Sequence, residues 1–77
     1  GLNNMTLTNT HKAILDSVKS TYFHSTVDDV VSDTGLPKAE VINNLKELNK
    51  AGITQVRLYN SSDFIGVTNY GWKLMDW

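Results

Sequence analysis

The stretch TGLPKAEVINNLKELNKAGI, Thr34 to Ile53, holds the side chains whose types and spacing best fit a recognisable chemistry. Sorted at 100° per residue, Ala39, Asn43, Lys46 and Lys50 fall on one helical stripe, nearly opposite Val41, Leu45 and Leu48. Lysine ammonium groups neutralise phosphates, and a carboxamide offers a donor beside an acceptor, which matches the exposed edge of adenine. A helix that buries the apolar stripe and presents the other fits a nucleic-acid groove. The same residues also fit an ordinary solvated face. Lys38 and Ile42 border the polar stripe on one side, Glu40 and Glu47 on the other, and Glu47 stands three residues before Lys50, a spacing at which the two can pair.

No other constellation supports chemistry. His11 and His24 are isolated in sequence, whereas zinc normally takes three or four ligands, so no metal site is expected. His11 is expected to face solvent in the first turn of helix 1, and His24 to cap or line a short strand. There is no glycine-rich phosphate loop, nucleophile elbow or cleft-forming pair of carboxylates, so neither catalysis nor a cofactor is expected. The sequons NMT and NSS are short enough to recur by chance. The absence of cysteine excludes disulfides and thiolate metal sites and fits a reducing or indifferent compartment, and the expected location is cytoplasmic or nucleoid-associated. No apolar run approaches the roughly 18 residues of a membrane span, and no signal-peptide pattern opens the sequence. Seven Lys and Arg against eight Asp and Glu give a formal charge of −1. That argues mildly against nucleic acid, so the distribution of charge matters more than its sum.

The 77 residues bound the chain to one small domain, expected over 8–77 behind a flexible tail at 1–7. Leu7, Ile14, Leu15 and Val18 mark helix 1 over residues 9–20, with Thr8 as its cap. TYFHS reads as a connector or short strand. Thr26 and Asp29 form a capping box for a second helix, which Gly35 ends. Pro37 fits the first turn of a third helix, about residues 37–51. Period-two alternation then runs through Val56 and Leu58, and through Ile65 and Val67, around a short tip of Asn60 to Asp63: a hairpin. Tyr59 and Phe64 are expected to pair across it. Thr68 caps a short last helix carrying Trp72, Leu74 and Met75 inward, with Trp72 as a core residue.

Three stretches carry a resemblance. LT…KAILDSV (Leu7 to Val18) is similar to the first helix of MarR- and ArsR-type repressors. STVDDVVSDTGLPKAEVINNLKELNKAGI (Ser25 to Ile53) resembles their helix-turn-helix, and VTNYGWKLM (Val67 to Met75) the threonine–x–x–glycine–x–x–leucine after their wing. The resemblance covers nearly the whole chain. It implies an α+β winged helix-turn-helix: a three-helix core, a two- to three-stranded wing and a short C-terminal helix. It also implies sequence-specific duplex DNA binding in transcriptional regulation. On that arrangement Lys38, Ala39, Ile42, Asn43 and Lys46 face the major groove. Lys38, Lys46 and Lys50 reach phosphates, and Arg57 on the wing reaches backbone or minor groove. The acidic Asp28, Asp29 and Asp33 lie elsewhere, on helix 2. The left-handed-DNA subfamily carries asparagine and tyrosine where Ile42 and Lys46 stand, and a proline in the wing, which is missing here. The alternative is a winged helix used as a protein-docking module, with Ile42, Tyr59 and Phe64 as apolar contacts. A weak homodimer is expected through Trp77 and the outer side of helix 1.

Overall fold

Thr8 starts the first helix by accepting the His11 N–H on its hydroxyl at 3.1 Å, while Nδ1 of His11 accepts the Thr8 N–H at 3.0 Å. This is a reciprocal capping box with histidine in the place usually held by Glu or Gln. It opens α1, Asn9–Ser20, in a computed structural model that describes residues 6–21, 24–59 and 62–76. Thr26 and Asp29 form a second box, at 3.3 and 3.0 Å, and open α2, Val27–Thr34. Gly35 ends α2 in the left-handed region at φ 73°, donating its N–H to the Val31 carbonyl. Pro37 precedes α3, Lys38–Lys50, standing one position ahead of the helix rather than inside its first turn.

The end of α3 explains the glycine that follows it. Ile53 N–H donates to the Leu48 carbonyl at 2.9 Å and Gly52 N–H to that of Asn49 at 3.0 Å, with Gly52 at φ 76°. This is a Schellman closure, and its two apolar partners, Leu48 and Ile53, are both fully buried. The chain thereby leaves α3 directly into β1, Thr54–Gln55, which pairs antiparallel with β2, Gly66–Val67, in the register Thr54 to Val67 and Gln55 to Gly66. The last helix, α4, is Asn69–Leu74. The fold is α+β, with four helices and a small two-stranded antiparallel hairpin among the described residues.

The ladder is shorter than the alternation suggests. Its paired residues stop at Gln55, and Leu58 and Tyr59 already lie in a turn. Asn60 and Ser61 of the expected tip lie outside the described residues, as do Tyr22 and Phe23 of TYFHS. Ser25, from the end of that segment, accepts the Ile65 N–H at 2.8 Å and so ties the entrance of α2 to the hairpin.

The three longer helices pack on one another around Ile14, Leu15, Val18, Val30, Val41, Leu45 and Leu48, all fully buried. Ile53 and Ile65 close this core from the hairpin. Fully burying one such side chain contributes about 1.5–3 kcal/mol, so this set is the main support of the α3 orientation. Against expectation, Trp72 is 46% exposed. Gly71 takes the inward line of α4 in its place, because a Cβ at residue 71 would lie 2.3 Å from the Ile53 carbonyl oxygen, while Met75, just past the helix, is buried as expected. Trp72, next along the helix, is carried about 100° away from that line. Leu74 is half-buried against the core, as expected.

Candidate nucleic-acid interface

The α3 helix has three sides. Val41, Leu45 and Leu48 are buried, while Ala39, Asn43, Lys46 and Lys50 are exposed on the opposite stripe. Among the described residues no side-chain hydrogen bond or ion pair engages Asn43, Lys46 or Lys50. An amide and two ammonium groups therefore stand together, solvated and unpaired. Ile42 departs from expectation. It is half-buried and packs against the core, since its place at the border of the stripe brings its branched side chain over the edge of the helix packing.

The two borders of the stripe are each tied to a neighbouring helix. On one, Lys38 Nζ lies 3.1 Å from Asp28 Oδ1, so the acids of α2 do not all sit apart from the lysines. On the other, Glu47 Oε1 lies 2.7 Å from His11 Nε2. This is the contact that sequence reasoning missed. Far from facing solvent, His11 is 4% exposed. Its Nδ1 closes the α1 cap, which points the ring inward and leaves Nε2 to reach α3. The signal was present in the spacing: His11 stands at the third residue of the helix, where a capping box needs an acceptor.

The loop beyond β1 carries Arg57. Its Nε and Nη2 donate to Asp63 Oδ2 and Oδ1 at 2.6 and 3.1 Å, a two-pronged fork that closes the loop on itself. Hydrogen bonding and charge from Asp63, with a smaller contribution from Tyr59, raise the Arg57 pKa above its ordinary value. The guanidinium is exposed but already engaged. Tyr59 is 86% exposed, and Phe64 sets its ring edge-on to exposed His24 with centroids 5.6 Å apart, so the expected pair across the hairpin is not made.

Below the loop, polar side chains fix the hairpin to the helices. Asn49 Nδ2 donates to the Val56 carbonyl at 2.9 Å, and its Oδ1 accepts from the Thr54 hydroxyl at 2.7 Å. The Thr68 hydroxyl donates to the Gly52 and Ile53 carbonyls and accepts the Gly71 N–H at 2.9 Å. Asn49 thus ties α3 directly to Thr54 and Val56, at the start of the segment that carries Arg57.

No cluster of three or more His, Asp or Glu suited to a metal occurs among the described residues. No helix among them is long and apolar enough to cross a membrane. Trp77, on which the expected dimer contact rests, lies outside them. No family model matches the sequence, and no curated protein matches it either.

Proposed function

We propose that this chain is a winged helix-turn-helix domain that binds duplex DNA in transcriptional regulation, with α3 as the reading helix. The observation that carries the reading is the stripe of Ala39, Asn43, Lys46 and Lys50, exposed along its length with no polar partner taken up by its amide or its lysines. A small residue at 39 lets the helix approach closely, Asn43 matches the adenine edge, and Lys46 and Lys50 match phosphates. Lys38 and Arg57 serve as outlying phosphate contacts that exchange Asp28 and Asp63 for the backbone. The order of helices and hairpin, and the closure of α3 into β1, support the winged-helix assignment. A short-duplex titration at several salt concentrations tests it, since phosphate contacts make log K fall linearly with log salt.

A second reading, a protein-docking module, is favoured by one observation, the 86% exposure of Tyr59 on a loop closed by Arg57 and Asp63. An exposed, braced aromatic is the kind of group that anchors protein contacts. The same titration separates the two, because docking predicts no salt-sensitive affinity for duplex.

A further inference from the structure

We propose that His11 is a positioning residue for the α3 face: by holding the Glu47 carboxylate on α1, it keeps Lys50 unpaired. The role rests on the DNA-binding reading above. Glu47 precedes Lys50 by three residues, a spacing at which carboxylate and ammonium meet on a helix. The pair is not made. Glu47 Oε1 instead lies 2.7 Å from His11 Nε2.

The donor pattern makes this hold directional. Nδ1 of His11 receives the Thr8 N–H at 3.0 Å, so that nitrogen carries no proton. In the neutral ring the proton is then on Nε2, which donates to Glu47. The imidazole is buried and bonded at both nitrogens, so it acts as a fixed donor aimed at one point beside α3. The Glu47 side chain is itself 62% exposed. Without the histidine it regains its rotamers in water, and its charge falls within reach of Lys50. A duplex would then have to displace a carboxylate from one of the two unpaired lysines of the stripe.

A double-mutant cycle on the full chain tests this, reading Kd for a mixed-sequence 20-base-pair duplex at low salt, with circular dichroism to verify folding. His11→Leu fills the buried site without a donor, and should weaken binding by about three- to fivefold, the size of one screened unit charge at a helical turn's distance. Glu47→Gln should change the parent's Kd by less than about twofold and restore near-parental affinity in the His11→Leu background. Simple loss of stability would not be rescued by removing a carboxylate. If Glu47→Gln has the same effect in both backgrounds, the role of His11 is overturned while the reading of α3 stands. A parent without salt-sensitive duplex binding overturns that reading and the role together. Should His11→Leu not fold, a Glu47→Gln, Lys50→Ala cycle on the parent decides. A carboxylate held on α1 predicts additive effects, and coupling above about twofold overturns the proposal.

Discussion

Replacing Gly71 by alanine sets two physical effects of opposite sign against each other. Gly71 lies within α4, where alanine is the better helix former by about 0.8–1.0 kcal/mol, so local propensity predicts stabilisation. The packing predicts the reverse. A Cβ at this position would stand 2.3 Å from the Ile53 carbonyl oxygen and 2.8 Å from Val67 Cγ1, well inside contact distance. The carbonyl cannot yield cheaply, because it accepts the Thr68 N–H at 3.0 Å and the Thr68 hydroxyl at 3.2 Å. Overpacking against such a backbone group costs about 3 kcal/mol, the upper part of the usual range. Subtracting the propensity gain leaves a net loss of about 2 kcal/mol. For a domain of this size that lowers Tm by about 8–16 °C. Thermal and urea unfolding of the parent and Gly71→Ala, followed by circular dichroism, measure it directly. A variant as stable as the parent, or more so, would refute the close approach of α4 to Ile53, and with it the account of why Trp72 is turned outward.

Other expectations follow from the same geometry. Asn43→Ala should weaken binding to a preferred duplex by about 1–3 kcal/mol and relax discrimination at one or two base pairs; equal affinities for all duplexes in parent and variant would remove Asn43 as a reader. Lys46→Ala should weaken every duplex alike and lower the salt slope by about one. Asn49→Ala leaves the Val56 carbonyl and the buried Thr54 hydroxyl without this partner and should cost about 2 kcal/mol in urea unfolding, whereas a change below 0.5 kcal/mol, roughly the level of an ordinary surface substitution, would show that Asn49 does not brace the hairpin.

The helices were legible because their signals are local. Thr8, Thr26 and Gly35 each act within a few residues of themselves, and the Val41–Leu45–Leu48 stripe follows from helical period alone. What sequence reasoning misjudged depends on groups distant in the chain. His11 is buried because Glu47, thirty-six residues on, offers it an acceptor. Trp72 is turned out because the backbone of Ile53 claims the inward side of α4 at Gly71. The short ladder is the exception, because Leu58 and Tyr59 enter a turn where alternation alone would continue a strand. For α3, the residue types were readable, but not that the charges bordering the stripe, Lys38 and Glu47, are paired with α2 and α1.

That pairing turns a near-neutral composition into a quantitative expectation for the salt dependence. Asp28 is paired with Lys38, Asp63 with Arg57 and Glu47 with His11. Two lysines of the stripe, Lys46 and Lys50, stand without such a partner among the described residues. If only these neutralise phosphates, log K falls with log salt at a slope of about 1.8. If Lys38 and Arg57 exchange their carboxylates for phosphates on binding, the slope rises to about 3.6. The Lys38–Asp28 pair is exposed on both sides, and exposed ion pairs are weak enough for a phosphate to displace the carboxylate. Asp28→Asn and Asp63→Asn then distinguish the two cases: each should strengthen binding where the exchange occurs, by relieving its lysine or arginine of a competitor. A slope near zero in the parent would reject duplex binding by this face. A slope well above 4 would mean that cations beyond α3 and the Arg57 loop, such as Lys12, Lys19 or Lys73, carry the contact, and the stripe would lose its claim to be the principal surface.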